Sequence, residues 1–178
     1  AFVAVIRRKP GNYLEDFRPG QVFRHKGGKT LNEGLFNAFT DFSMTTNPLH
    51  KNAEYARLHG FRGLVAPPGL VMNVVFSQTV EDISENARAN LEYINMRFGV
   101  PVYIGDTLEA ETTIVGVAPS TKDPDRGVVH VSSVGRNQRG EVVIAFERKV
   151  QIWKNDLAAP CEKGELEKKP QIECTPGI

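Results

Sequence analysis

This sequence has only two cysteines and one tryptophan, and its formal net charge is only +1. Only two of its 178 residues are cysteines, Cys161 and Cys174, and both lie in a polar C-terminal stretch. A disulfide-bonded scaffold is therefore excluded, and a reducing compartment is the simpler expectation. The 22 Lys and Arg residues are matched by 21 Asp and Glu residues, which leaves no basic excess to bind a nucleic-acid backbone.

Long hydrophobic runs are also missing. The longest strongly apolar stretch, residues 63–76, is broken by prolines, a glycine and an asparagine, so it is too short and too interrupted to span a bilayer. Near the N-terminus, Arg7, Arg8 and Lys9 follow the apolar residues, which reverses the order of a secretory signal. We therefore expect a soluble, cytoplasmic protein that does not contact a membrane.

The overall composition is that of one globular domain. Hydrophobic residues make up 40% of the chain and charged residues 24%, a balance that a disordered chain does not have. Residues 1–11 are predicted to be an N-terminal arm, and residues 12–155 a single domain. Residues 156–178, which contain three prolines and a Lys/Glu cluster, are predicted to be an extended tail.

Three helices are predicted from apolar spacing and start signals. The first covers about residues 31–42, with Thr30 and Glu33 as a capping box. The second is short and covers residues 52–59. The third opens at Pro67-Pro68-Gly69 and continues to Val80. Because it is apolar on nearly every face, it should be buried.

Four strand patterns follow the third helix, over residues 90–98, 107–117, 128–135 and 141–153. In the last, apolar residues alternate along one face, and Arg148 is the only interruption. Short links between successive strands predict an antiparallel sheet. A long antiparallel sheet wrapped around one central buried helix is an α+β, hot-dog arrangement.

Several segments resemble one known family. They are Phe39 to His50, Ala-Glu-Tyr-Ala at 53–56, Gly60 to Gly69, and Arg-Phe-Gly-Val-Pro-Val-Tyr-Ile-Gly-Asp-Thr-Leu at 97–108. In this order they are similar to the MaoC-like, R-specific enoyl-CoA hydratases, over roughly residues 12–154. Within that family, the run from Ile83 to Asp106 looks closest to hydratases of branched C5-dicarboxylyl-CoA esters, the mesaconyl- and itaconyl-CoA type.

The resemblance implies a hot-dog enzyme that adds water reversibly to an α,β-unsaturated acyl-CoA, with no cofactor beyond the thioester substrate. It also implies pairing of two subunits, as a homodimer or larger homo-oligomer. The family sets its catalytic residues as Asp-x-Asn-Pro-x-His. His50 and Asn47 match this pattern, but Thr45 stands at the aspartate position. We expect His50 to be the principal acid/base, with Asn47 and Thr45 beside the substrate.

Asp41 is a possible replacement for the missing aspartate. It lies four residues before Thr45, so the two would share a face if the first helix reached that far. Asp41 could then hold the water together with His50. An ordinary solvated carboxylate on a helix surface explains Asp41 equally well.

Gly69 is the predicted oxyanion donor. Adding water to the β-carbon places negative charge on the thioester oxygen, and the free amides at the start of a buried helix can stabilise it. Pro67 and Pro68 have no N–H, whereas a thioester could approach the Gly69 amide without meeting a side chain. The alternative is that Pro-Pro-Gly only starts the helix.

A second carboxylate on the substrate would need a cation. Arg57, Arg62 and Arg97 are the candidates, since a guanidinium binds a carboxylate through two parallel hydrogen bonds. Each is also explained as a surface or structural arginine. No histidine has metal-ligand spacing and no Gly-rich phosphate loop precedes a helix, so we expect neither a metal nor a nucleotide cofactor.

Two other functions are compatible with the sequence. A hot-dog acyl-CoA thioesterase would be expected to place a carboxylate in the central helix, but none occurs between Gly69 and Val80. A non-catalytic acyl-CoA-binding protein could have kept the pocket and lost the aspartate. Thr45 favours that alternative, and Asp41 together with the intact Asn47 to His50 segment opposes it.

Overall fold

A computed structural model describes residues 11–155. The predicted tail and nearly all of the predicted arm therefore lie outside the described residues. The helices are α1 (Glu33–Phe42), α2 (Ala53–Leu58) and α3 (Pro68–Gln78), and the strands are β1 (Val22–Arg24), β2 (Lys29–Thr30), β3 (Ala87–Phe98), β4 (Thr107–Pro119), β5 (Arg126–Asn137) and β6 (Val142–Trp153). Between residues 11 and 155, no helix is long and apolar enough to cross a membrane.

The strands form one antiparallel sheet in the order β1-β4-β5-β6-β3, with β2 also paired to β4. The four long strands agree with the predicted strand patterns, and Gly140 adopts a positive φ of 78° in the β5–β6 turn. The sheet wraps around α3, whose Leu70, Val71, Val74 and Val75 are buried. The predicted α+β, hot-dog fold and the burial of the central helix are confirmed.

The start of α1 differs from the prediction. Asn32 is the N-cap residue, and its side-chain oxygen accepts a hydrogen bond from the Leu35 amide at 2.8 Å. Thr30 instead belongs to β2, where its hydroxyl lies 2.8 Å from that of Thr107. The predicted Thr30 capping box is wrong, because pairing with β4 keeps Thr30 in an extended conformation that local spacing could not reveal.

Arg148 lies fully buried on β6, beneath the C-terminal end of α3. Its guanidinium donates to the Thr79 hydroxyl and to the Asn90 side-chain oxygen, each at 2.9 Å, and lies 4.8 Å from the ring centre of Phe76. Burial lowers the pKa of Arg148 to about 10, although Tyr93 favours the charged form, so the guanidinium is protonated at neutral pH. A cation at the carbonyl end of a helix is electrostatically favourable. Arg148 thereby ties α3 to β6.

Gly135 on β5 sets the distance between α3 and the sheet. A Cβ atom at this position would lie 2.5 Å from Cγ2 of Val75 on α3 and 3.0 Å from Cγ2 of Ile144 on β6. These contacts are closer than packed carbon atoms tolerate. The absence of a side chain at Gly135 lets the helix and the sheet approach.

We predict that Gly135→Ala lowers the free energy of unfolding by about 1–3 kcal/mol, since the added methyl group overpacks the core. Gly116→Ala on β4 is the matched control, because no heavy atom lies within 4 Å of a Cβ there. The control should be neutral or slightly stabilising. Urea unfolding of both variants measures the difference, and equal stabilities would contradict this account of the packing.

Candidate active site

His50 ends a single 3₁₀ turn, Pro48–His50, that Asn47 caps by accepting a hydrogen bond from the Leu49 amide at 3.0 Å. The Nδ1 atom of His50 lies 2.7 Å from the Val65 carbonyl oxygen. Because a carbonyl can only accept, Nδ1 carries the hydrogen of the neutral imidazole. The lone pair is therefore on Nε2, to which no group within residues 11–155 is hydrogen-bonded. This tautomer equips His50 to take a proton.

The Val65 carbonyl lies on a segment that is fixed from two sides. The Val65 amide donates to the Leu49 carbonyl at 3.2 Å, and the Ala66 amide donates to the Val102 carbonyl at 2.8 Å. Val65 also forms an antiparallel bridge with Tyr103. The same segment runs directly into α3. The orientation of His50 is thus coupled to the position of the helix start.

The first turn of α3 has one available amide. Pro67 and Pro68 have no N–H, and the Leu70 and Val71 amides both donate to the Pro67 carbonyl, at 2.9 and 3.2 Å. Among the described residues, the Gly69 amide has no hydrogen-bond acceptor. It also lies at the positive end of the helix dipole. This arrangement agrees with the predicted oxyanion donor, whose role stays a prediction.

Gly69 also has a packing role at the start of α3. A Cβ atom at Gly69 would lie 3.1 Å from Cζ of Phe39 on α1. Gly69 therefore also allows α1 to pack against the start of α3. A side chain at this position would meet Phe39, which the packing of α1 against α3 brings there although the two helices are distant in sequence.

The chain leaves α1 in a Schellman motif. Met44 adopts a left-handed conformation with a φ of 50°, the Met44 amide donates to the Asp41 carbonyl at 3.1 Å, and the Thr45 amide donates to the Thr40 carbonyl at 2.9 Å. The helix therefore ends at Phe42. The predicted end of the first helix is confirmed, and the longer helix on which Asp41 and Thr45 would share a face does not form.

Thr45 and Asp41 differ in their contacts. The Thr45 side-chain oxygen lies 2.7 Å from the Ser43 hydroxyl, which itself lies 2.7 Å from the Phe39 carbonyl. The Asp41 carboxylate is exposed on α1, and none of residues 11–155 forms a hydrogen bond or ion pair with it. The predicted functional roles of both residues stay predictions.

Arg57 and Arg62 line a common cavity of about 350 Å³, together with Leu64 and Tyr103. The Nη2 atom of Arg62 lies 2.9 and 3.0 Å from the two carboxylate oxygens of Asp106, and its guanidinium lies 4.1 Å from the ring centre of Tyr103. Arg57 forms an ion pair with a glutamate on α2. The structure thus brings two of the three candidate arginines together.

Arg97 lies apart from that cavity. It pairs with Ala145 in the β3–β6 register. Ile144 and Phe146, on either side of Ala145, are buried in the core. Because successive side chains point to opposite faces of a strand, Arg97 lies on the outer face of the sheet. Within one chain, the structure does not bring Arg97 together with Arg62.

Asp106 is the site residue that sequence reasoning missed. Its side chain is 3% exposed, and it accepts hydrogen bonds from Arg62, from the Gln138 amide group at 2.9 Å, from Arg139 at 3.3 Å and from the Tyr103 backbone at 2.9 Å. Burial would raise the pKa of Asp106, but the hydrogen bonds from Gln138, the Tyr103 backbone and Arg62, together with the Arg62 charge, hold it below its usual value. The Gly-Asp-Thr-Leu segment was its sole signal, since its partners come from distant parts of the chain.

The other histidines have structural partners. His25 is buried between the Asp82 carboxylate, 2.7 Å from Nδ1, and the Thr112 hydroxyl, 2.8 Å from Nε2. His59 stacks on a tyrosine, and His130 pairs with a glutamate. Throughout residues 11–155, no three His, Cys, Asp or Glu side chains are grouped as metal ligands.

Comparison with known proteins identifies related sequences. The family model of the MaoC-like domain matches residues 16–136. The chain is 40% identical over 154 residues to β-methylmalyl-CoA dehydratase of Chloroflexus aurantiacus and 35% identical over 155 residues to mesaconyl-CoA hydratase of Cereibacter sphaeroides. These alignments cover 86% and 87% of the chain, but only 44% and 45% of those proteins. The chain therefore spans about half the length of these relatives.

Solved structures show the same relationship. A MaoC domain protein of Chloroflexus aurantiacus superimposes with a TM-score of 0.81 at 40% identity, over 86% of this chain and 44% of that one. A Mycobacterium tuberculosis protein described as a double hot-dog fold superimposes with a TM-score of 0.73 at 28% identity, over 90% of this chain and 47% of that one.

We predict that Asp106→Asn lowers the free energy of unfolding by about 2 kcal/mol at pH 7, because Arg62 and Arg139 lose their carboxylate partner. Both arginines are about half exposed, which reduces the effect below that of a fully buried pair. The folded-state pKa of Asp106 lies below the ordinary value of 3.8. The stabilisation is therefore present above that value and is lost as pH falls through the folded-state pKa.

Urea unfolding of wild type and variant between pH 7 and pH 3 measures this difference. Glu92→Gln, which breaks an exposed pair with Lys149, is the control and should change stability by less than about 1 kcal/mol. A difference between wild type and Asp106→Asn that does not shrink in acid would contradict the assignment.

Proposed function

The chain belongs to the MaoC-like domain family, and on that premise we propose that it is a carbon–oxygen lyase, adding water reversibly to an α,β-unsaturated acyl-CoA thioester. The observation that carries this proposal is the hydrogen bond from His50 Nδ1 to the Val65 carbonyl, which leaves Nε2 as a base. The free Gly69 amide, four residues after Val65, supports it on the electrophile side.

The proposed hydration moves one proton and one hydroxide. His50 Nε2 removes a proton from water as the water oxygen bonds to the β-carbon, and the electrons of the double bond move to the thioester oxygen as an enolate. The Gly69 amide donates to that oxygen. The imidazolium then returns the proton to the α-carbon, and the reverse sequence eliminates water. A single base that returns its proton suffices for both directions.

The alternatives have weaker support. A thioesterase is disfavoured because no carboxylate lies on α3, and Asp82, just after the helix, is hydrogen-bonded to His25. Thr45 favours a non-catalytic acyl-CoA-binding protein, but a binding protein would have no need of the fixed His50 tautomer.

We further propose that the substrate is a branched C5-dicarboxylyl-CoA of the mesaconyl- or itaconyl-CoA type. The names of the relatives at 35–40% identity support this class. The cavity lined by Arg57 and Arg62 offers cations for the second carboxylate. Arg62 is the stronger candidate, since Asp106 and Tyr103 hold its guanidinium in one orientation and leave it N–H groups to donate.

The proposed assembly contains a second hot-dog unit, as a homodimer or a larger homo-oligomer. Strand β3 supports it, because this edge strand is 12 residues long and exposes Leu91, Tyr93 and Phe98. A long apolar edge is a template for pairing with another strand. No cofactor beyond the CoA thioester and a cytoplasmic location complete the proposal.

In this proposal, a second group besides His50 binds the reacting water. Asp41 and Thr45 are the two candidates. Asp41 would supply a charged acceptor from the surface of α1, and Thr45 a neutral one from the segment that also carries His50.

We predict that His50→Ala lowers kcat at least about 100-fold, because general-base catalysis contributes that much or more. Loss of enoyl-thioester absorbance with crotonyl-, mesaconyl- and itaconyl-CoA measures turnover. His59→Ala, which removes an exposed histidine from the end of α2, is the control and should retain activity. Free thiol released by wild type would favour a thioesterase, and ester binding without turnover would favour a binding protein.

We predict that Arg62→Gln lowers kcat/KM for mesaconyl-CoA by about 10–100-fold, which is the effect expected when a hydrogen bond between two charged groups is lost. Crotonyl-CoA, which has no second carboxylate, should be affected less than about threefold. Arg97→Gln on the outer face of the sheet is the control and should leave both values unchanged. An equal loss on both esters would assign Arg62 a structural role through Asp106.

A further inference from the structure

The Asp106 carboxylate joins the β5–β6 turn to the turn that precedes β4. Its Oδ1 atom accepts hydrogen bonds from Gln138 at 2.9 Å and from Arg139 at 3.3 Å, both in the β5–β6 turn. Its Oδ2 atom accepts a hydrogen bond from the Tyr103 amide at 2.9 Å. Gln138 is itself held in place, because its side-chain oxygen accepts from the Thr107 amide at 2.9 Å. The β5–β6 turn thereby holds the carboxylate, and the carboxylate holds Tyr103.

Tyr103 connects this carboxylate with His50. Its backbone forms the antiparallel bridge with Val65, whose carbonyl accepts the Nδ1 hydrogen of His50 at 2.7 Å. The Tyr103 carbonyl also accepts a hydrogen bond from the Asp106 amide at 3.1 Å, which closes a β-turn with Gly105 at a φ of 89°. Asp106 therefore fixes both the amide and the carbonyl of the residue opposite Val65.

We propose that Asp106 is a positioning residue for His50, and that it acts through the Tyr103 backbone on the Val65 carbonyl. The effect on turnover rests on the proposed hydratase function, whereas the connection to His50 rests on the hydrogen bonds alone. The Val65 carbonyl selects the Nδ1–H tautomer and leaves Nε2 as the base. When this carbonyl is displaced, the imidazole is free to change its tautomer, and fewer molecules carry the lone pair on Nε2.

Arg62 is a separate branch of this network. It donates to both oxygens of Asp106, but its side chain is 54% exposed, which weakens the ion pair. The bond to Tyr103 is made by a backbone amide to a carboxylate that is 3% exposed. Asp106 therefore has two roles that mutation can separate. It orients Arg62 toward the second carboxylate of the substrate, and it positions His50 through Tyr103.

Asp106→Asn should break the bond to Tyr103. An asparagine side chain has one acceptor oxygen and one NH2 group. Donors from Arg62, Gln138 and Arg139 converge on the Oδ1 position, so the asparagine oxygen should occupy that position. The NH2 group would then face the Tyr103 amide, and two donors cannot bond to each other.

NMR of the full chain, labelled at the histidine nitrogens, tests the proposal at about pH 8.5, where ordinary imidazoles are neutral. The Nδ1 and Nε2 signals distinguish the two tautomers, and His50→Ala identifies the signals of His50. Wild type should show the Nδ1–H tautomer of His50, and Asp106→Asn a mixture of both. His59, whose Nδ1 lies 2.8 Å from the Tyr55 carbonyl, should keep one tautomer in both proteins.

Turnover gives a second measurement. Asp106→Asn should lower kcat about 10-fold on every enoyl-CoA ester that wild type hydrates, because a misplaced base costs that much or more. KM for crotonyl-CoA should change less than about threefold. This ester has no second carboxylate, so Arg62→Gln should remain within about threefold of wild type on it.

Asp82→Asn is the matched control, because it removes a carboxylate charge from a different buried contact, the one with His25. It should change the NMR signals of His25 and leave kcat and the signals of His50 unchanged. Gln138→Leu removes one donor from Asp106 without changing a charge. It should shift the His50 tautomer in the same direction by a smaller amount, and it replaces Asp106→Asn in the test if that variant does not fold.

An unchanged His50 tautomer in the folded variant would overturn the inference, and so would the Nε2–H tautomer in wild type. An equal tautomer change in Arg62→Gln would assign the connection to Arg62 and overturn the route through Tyr103. A changed tautomer in Asp106→Asn, together with a wild type that hydrates no ester, would support the link from Asp106 to His50 and overturn only the proposed function.

Discussion

The burial of α3 against the sheet is the constraint on which the rest of this structure depends. Most of the helix is apolar, so it must pack against the sheet, and Gly135 permits the close approach. This packing also fixes both ends of the helix. Arg148 meets the carbonyl end, and the amide end, with its one free N–H at Gly69, lies directly after the segment that orients His50.

The proposed chemistry follows from this placement. The positive end of a buried helix is suited to stabilising a developing enolate. The proposed base, His50, has its tautomer fixed by Val65, on the segment that leads into this helix. Of the two candidates for the second contact to the water, Thr45 would put no repulsive charge beside the enolate, whereas Asp41 would accept the stronger hydrogen bond from the water.

Elements that depend on local periodicity were predictable. The four long strands and the apolar α3 were expected from alternation and spacing, and the structure has them within a few residues of the predicted bounds. The start of α1 was less predictable. Asn32 caps α1 in place of Thr30, because β2 pairs Thr30 with β4. This pairing with a distant strand is not visible in local sequence.

The sequence by itself determined which chemical groups are available: a histidine after an Asn-Pro turn, a glycine amide at a proline-rich helix start, and a threonine at an aspartate position. It could do so because motif residues are neighbours in the chain. Only the tertiary structure decided which of these groups are free and which are occupied. Asp106 orients Arg62, Val65 selects the tautomer of His50, and Ser43 is the hydrogen-bond partner of the Thr45 hydroxyl. Hydrogen-bond partners are chosen by distance in space, which chain spacing does not encode.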